Sequence, residues 1–237
     1  CPIILGEDGL KLSKRRGAVS VTAYEDAGYL PEAMLNYLAR LGWSHGDEEL
    51  FTRDQMVEWF DGSHLSKSPA QWDPAKLSWV NAHYLKQADD ARLASLVTGL
   101  LARRGLTVGE GTPLAQACAL FKDRCHTLAD LADWIAPMIG PVHPREEDLA
   151  AHVSDAARAA FAVLAGRLEQ ASWDAAGIQA ALKETLAQQG LKMPQLAPAV
   201  RVVVCGRAQT PSVDQVLALY PRDRVVARLK DAAQATL

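Results

Sequence analysis

Cysteine is scarce in this 237-residue chain, which has four in all: Cys1, Cys118, Cys125 and Cys205. No two form a CxxC pair, so a zinc site is not expected, and the pattern suits a reduced, cytoplasmic setting. Long apolar runs are missing too. No stretch approaches the ~20 residues of a membrane span, and no signal peptide stands at the start. The histidines (His45, His64, His83, His126, His143 and His152) show no ligand spacing, and no metal is assigned to them. There is no internal repeat of about 30–45 residues, which weighs against a solenoid scaffold for protein interactions. A large charge of one sign is also lacking. The net charge of −3 argues against a broad electrostatic grip on nucleic acid.

What is present describes a globular protein. Apolar residues make up 49% of the chain, and its length can bury a sizeable core in one or two domains. Charge is unevenly divided. Residues 1–90 carry 9 basic and 14 acidic side chains, a net −5, whereas residues 91–237 carry 16 basic and 14 acidic, a net +2. Twelve of those 16 are arginine, whose planar fork of donors suits phosphates and base edges. A genome that favours Arg and Ala codons would give the same bias.

Helix signals dominate. Thr22 and Glu25 read as a capping box with Gly28 closing the short helix. Pro31 opens the next helix, where Met34, Leu35, Leu38 and Leu41 recur at helical spacing before Gly42. Thr52 with Gln55 starts a helix through Phe60, and Asp73 followed by Pro74 starts one carrying Leu77, Trp79, Val80 and Tyr84. Composition shifts near residues 87–90. Asp89 or Asp90 then caps a helix with Leu93, Leu96, Val97, Leu100 and Leu101 on one stripe. Further helices are expected from Thr112-Pro113 through Cys125 and from Thr127 to about Pro137–Gly140. Beyond the loop GPVHPREED come a long Ala-rich helix from about Leu149 to Gln170 and one capped by Ser172 and closed by Gly190. The last two are expected from Ser212 to Tyr220 and from Asp223 onward. VRVVVCG is ambiguous, because its β-branched residues favour a strand. Trp43, Trp59, Trp72, Trp79 and Trp134 fall among apolar residues at helical spacing and are expected in the core.

The stretch that carries chemistry is KLSKR, Lys11 to Arg15, after a turn bounded by Gly6 and Gly9. Two lysines flanking a hydroxyl put ammonium groups and backbone N–H donors around an anionic ligand, polyphosphate above all. Taken alone, five residues could be a solvated basic turn. The following segments share one pattern: KLSKRRGAVSV, then YLPEAMLNYLARLGWSHGDEE, FTRDQM and SKSPAQWDPAKLSWVNAHYL. Together they resemble the bacterial glutamyl-tRNA synthetase family, in which KLSKR is a form of the class I signature called KMSKS.

The resemblance runs on to the C-terminus and implies a mainly α fold. The expected order is a small α-rich stem-contact domain with the signature loop (1–88), then a helical anticodon-binding cage in two subdomains (89–142 and 143–237). By the same resemblance VRVVVCG is helical. Lys14, with Lys11, is implied to stabilise charge on the ATP phosphates, and Ser13 to shape the loop. Arg124 in RCHTL and Arg201, with Thr210 and Val213 nearby, are implied at the anticodon surface, Arg124 reading the third base. Ala199 stands two before Arg201, where the family has proline. SKSPA (Ser66 to Ala70) looks like a second phosphate loop but is expected to cap the following helix, with its lysine near the tRNA backbone.

No HIGH-type motif or nucleotide-binding strand–helix repeat precedes KLSKR. The chain opens at Cys1 inside what reads as a strand, so it is expected to be cut from something longer and to be unable to activate glutamate alone. The implied partners are tRNA-Glu, ATP with Mg²⁺, and glutamate, for a cytoplasmic monomer. Glutaminyl-tRNA synthetase is disfavoured because its C-terminal region is built of β-barrels. A free-standing tRNA-binding module without catalysis is the rival reading.

Overall fold

The computed structural model describes residues 3–13 and 20–235. Lys14 lies outside them. The chain folds as two compact units, one of residues 1–100 with 121–132, the other of 101–120 with 133–237. The expected 88/89 boundary falls in the break between two helices, at Ala88. Packing divides later, within the next helix.

In the first unit the strands β1 (Ile4–Leu5) and β2 (Ala70–Gln71) pair in parallel. Around them stand α1 (Val21–Asp26), α2 (Pro31–Arg40), α3 (Arg53–Trp59) and α4 (Pro74–Gln87), followed by the start of α5 (Asp90–Arg103). Pro31 opens α2 as expected, and Thr52 with Gln55 forms the full capping box of α3. Asp73 caps α4, its carboxylate accepting from Lys76 N–H at 3.0 Å. Asp89 caps α5, accepting from Arg92 N–H at 2.9 Å. Three details differ from expectation. Ser20, not Thr22, caps α1. The SKSPA segment caps no helix; it turns on Ser66 and delivers Ala70 to the strand pair. On α2 the buried face is Ala33, Met34, Asn36 and Tyr37, while Leu35 and Leu38 are exposed.

Met34, Tyr37 and Leu77 form a core against which Tyr24, Tyr29, Leu41 and Trp72 pack. Tyr37 meets Trp72 edge-on at 5.0 Å and its hydroxyl accepts from Asp73 N–H at 2.6 Å. Asn36 is fully buried because its amide has work on both sides, donating to Glu49 O and accepting from Tyr84 OH at 2.8 Å. A buried amide with partners on both ends is tolerated where an unpaired one would not be. Arg92 grips Glu32 with both terminal nitrogens, at 2.6 and 3.0 Å. Partial burial works to raise the Glu32 pKa, but the Arg92 hydrogen bonds, a bond from its own backbone and the Arg92 charge together outweigh it and hold the carboxyl below its ordinary value.

Three elements cross the limits of the units: α5, α6 (Leu114–Phe121) and α7 (Leu128–Ile139). The helix expected through Cys125 ends at Phe121 and continues as a 3-10 turn, Lys122–Arg124. The second unit is completed by α8 (Glu146–His152), α9 (Asp155–Gln170), α10 (Ala175–Gln189), α11 (Met193–Cys205), α12 (Val213–Ala218) and α13 (Arg222–Gln234). The single helix expected from about Leu149 to Gln170 is two, broken at Val153–Ser154, where Ser154 caps α9. α10 is capped by Asp174, not Ser172, and closed by left-handed Gly190. VRVVVCG is helical, since its four consecutive valine and cysteine side chains, Val202 to Cys205, are all buried on a helix packed on several sides.

Five of the arginines beyond residue 90 are structural. Arg158, Arg207, Arg222, Arg224 and Arg228 each donate to a backbone carbonyl. Arg207 shows why. Pro137 inside α7 has no N–H to give the carbonyl of Asp133 four residues back, and the Arg207 guanidinium takes that carbonyl at 3.1 Å while lying over the Trp134 ring. The arginine excess is thus partly spent on helix ends and kinks. No helix of the described residues is long and apolar enough to cross a membrane.

Candidate nucleic-acid interface

The turn that carries Lys11 is braced from both sides. Gly6 N–H donates to Leu10 O at 2.8 Å, Leu10 N–H to the Asp8 carboxylate at 3.0 Å, and Leu12 N–H to Ile4 O at 2.9 Å. Gly9 takes φ +73°, a conformation open to glycine, and the Gln71 amide reaches across from β2 to Glu7 O. Lys11, held opposite Leu5 in an isolated β-bridge, therefore keeps its side chain exposed on a fixed backbone, and Ser13 is exposed two residues on. Lys14 falls outside the described residues.

Arg124 closes the 3-10 turn Lys122–Arg124, exposed, and its side chain makes no hydrogen bond or ion pair among the described residues. Its surroundings are tightly held. Phe121 and Cys125 on either side are buried. Lys122 donates to Ala88 O at 3.0 Å and pairs with Asp90 at 2.8 Å. Asp130 accepts from the backbone N–H of both His126 and Thr127 at 2.9 Å, and the Thr127 hydroxyl accepts from Asp130 N–H in return. The His126 carbonyl takes a hydrogen bond from Asn81, and Leu128 N–H donates to Gly28 O at 2.8 Å. The unpaired guanidinium thus stands on a segment tied down at Lys122, His126, Thr127 and Leu128.

In the second unit Arg201 lies half-buried on α11, and its Nε meets no hydrogen-bond partner among the described residues. Burial pushes its pKa down, against the pull of Cys205 and Asp214. Asp214 sits in the first turn of α12, so Arg201 is brought within electrostatic reach of the segment that carries the two other candidates. Thr210 is half-buried with its hydroxyl donating to Pro211 O at 2.7 Å. Val213 is 5% exposed, so little of that residue reaches the surface. The Cys205 thiol beneath is pushed up to about 11, by burial first. Of the four anticodon candidates, Arg124 belongs to the first unit and Arg201, Thr210 and Val213 to the second.

One surface feature escaped the reading of the sequence. Trp79 is 45% exposed, not in the core, with the Lys76 ammonium 3.9 Å over its ring and held there by Glu49. A lysine three residues before a tryptophan on one helix face was the available signal. Trp43 is buried as expected, while Trp59 stacks face to face on His45 at 4.2 Å. The described residues hold no group of three His, Cys, Asp or Glu side chains placed to bind a metal ion.

Two family models cover residues 1–233. Residues 1–79 match the one described as "tRNA synthetases class I (E and Q), catalytic domain", and residues 80–233 the one described as "Anticodon binding domain". The chain therefore belongs to the anticodon-binding-domain family found in class I tRNA synthetases. Glutamate–tRNA ligases are among its curated relatives. That of Paracidovorax citrulli is 58% identical over 98% of this chain and 49% of its own length, and that of an Azoarcus species 54% over 96% and 49%. Among solved structures, the glutamate tRNA ligase of Elizabethkingia meningosepticum, in complex with its amino acid, shares the fold with a TM-score of 0.83 at 23% identity. The match covers 98% of this chain and 50% of that one. The chain spans about half the length of the relatives it matches.

Proposed function

We propose that this chain is the tRNA-gripping part of a ligase that joins glutamate to tRNA-Glu through a glutamyl-adenylate at the expense of ATP. The observation that carries the reading is the order of the two family matches, a catalytic-domain segment ending at residue 79 and an anticodon-binding segment from residue 80, on a chain 58% identical to such a ligase. In this reading Lys11, Ser13 and Lys14 face the ATP phosphates. The exposed ammonium and hydroxyl beyond the braced turn suit an anion, and preorganised cations lower the barrier by stabilising charge as it develops. ATP with its Mg²⁺ supplies the α-phosphate that the glutamate carboxylate attacks, with pyrophosphate leaving; the roles given to this chain use its cations alone. Arg124 reads a base of the anticodon, a role for which an exposed, unpaired guanidinium on a tethered turn is suited. Arg201 and Thr210, with Val213 beside them, form the second contact. The ligase acts as a monomer.

Arg124→Ala tests the RNA half of this reading. Titrating fluorescent tRNA-Glu with the 237-residue chain, the variant is expected to bind roughly tenfold more weakly, the usual worth of a bidentate base contact, with its helical circular dichroism unchanged. Equal affinity for both proteins would remove Arg124 from the interface.

A further inference from the structure

Resting on that reading of Arg124, we propose that Asn81 is its positioning residue, the side chain that sets where the guanidinium is presented to RNA. Arg124 ends a 3-10 turn of three residues, too short to hold its own geometry, since such turns have poor hydrogen bonds and rely on their surroundings. What fixes the turn must come from elsewhere in the chain. Asn81 supplies it from the buried face of α4, where it stands fully buried among Leu77, Val80, Ala82 and Leu85. Its Oδ1 accepts from Leu30 N–H at 2.8 Å, a residue 51 positions away, and its Nδ2 donates to His126 O at 2.5 Å, 45 positions away.

The chemistry requires an amide. One oxygen must accept and one nitrogen must donate, in opposite directions, at the length of a single short side chain. An apolar residue would fill the space at less desolvation cost, yet would leave both chain segments free to slide. The His126 carbonyl is two residues from Arg124, and Cys125 between them is buried, so a displacement at His126 passes to Arg124 without being absorbed. Ser78 repeats the tether from one turn before, its hydroxyl 3.0 Å from the His126 ring. Bidentate recognition of a base edge tolerates little misplacement. Asn81 therefore acts on specificity through the placement of Arg124 and touches no RNA itself.

The test uses the 237-residue chain and the anticodon stem-loop of tRNA-Glu, with its own third anticodon base or with that base replaced. Asn81→Asp keeps the size and the acceptor for Leu30 N–H but turns an oxygen toward the His126 carbonyl. It is expected to lose roughly tenfold in discrimination between the two RNAs, as Arg124→Ala does. The double variant should discriminate no worse than Arg124→Ala alone. The slope of affinity against salt, which counts phosphate contacts, should stay at the wild-type value, as a general loosening of the fold would not allow. Asn81→Ser, which introduces no buried charge, carries the same expectation if the aspartate variant does not fold. Wild-type discrimination in the Asn81 variants, with discrimination lost in Arg124→Ala, overturns the proposal and leaves the reading of Arg124 standing. Unchanged discrimination in Arg124→Ala overturns that reading, and the positioning role with it.

Discussion

Lys14→Ala, placed in a polypeptide of the relatives' full length, is expected to slow glutamyl-adenylate formation by roughly 10²–10³-fold, the usual cost of removing one preorganised group that faces developing charge. The binding of ATP should weaken far less. In the proposed role the ammonium of Lys14 gains most from the charge that appears as the α-phosphate is attacked, whereas ground-state binding would be shared with Lys11. The readout is ATP–pyrophosphate exchange at saturating glutamate and tRNA. A drop in kcat at nearly constant KM for ATP fits the proposed role. An unchanged rate would return KLSKR to the status of a solvated basic turn.

Gly28→Ala is expected to cost the first unit about 3 kcal/mol or more, the sum of left-handed strain and a clash with backbone. Gly28 takes φ +89°, and a Cβ there would lie 2.5 Å from Ala129 N and 2.9 Å from Leu128 N. Neither atom is the tip of a flexible side chain. Relief requires breaking the Leu128 N–H to Gly28 O hydrogen bond, and with it the seat of the segment that carries Arg124. Gly46→Ala is the control. Gly46 is also left-handed, at φ +54°, but a Cβ there meets nothing within 4 Å, so only the conformational strain of about 1–2 kcal/mol applies. Urea unfolding of the two variants should separate them by a clear margin. Equal losses would show that the close approach of residues 28 and 128–129 does not matter.

The sequence made the helices legible where a local signal and a tertiary need agree. Pro31, Thr52 with Gln55, Asp73 with Pro74 and Gly190 mark helix ends by their own chemistry, and each does so in the structure. Where two capping residues compete a few positions apart, the sequence could not choose. Ser20 caps α1 in place of Thr22, and Asp174 caps α10 in place of Ser172, because the cap is decided by where the chain enters the helix. The break between α8 and α9 was hidden by alanine, which favours helix on both sides of Ser154. Burial was harder to read than helicity. Leu35, Leu38 and Trp79 continue apolar stripes yet are exposed, since the stripe of a small unit need not be covered along its whole width.

The candidate site divides in the same way. Arg124 could be singled out through a resemblance, and its exposure is consistent with that, but nothing local marked Asn81 or Gly28 as its supports. Their partners lie 45 to 100 residues away in sequence, and contacts of that separation leave no trace in local spacing. Arginine composition was the least direct guide. Five of these side chains hold carbonyls of the second unit, so the count overstated the cations left for RNA.

This chain, taken by itself, is expected to bind tRNA-Glu through the anticodon arm of the RNA. Fluorescence anisotropy of labelled tRNA-Glu against the 237-residue chain, repeated over a range of salt concentrations and against a tRNA of unrelated anticodon, measures it. Saturable binding is expected, with affinity falling linearly in log–log form against salt and the unrelated tRNA bound at least tenfold more weakly. Absence of saturation at low salt, or equal affinity for the two RNAs, would contradict it.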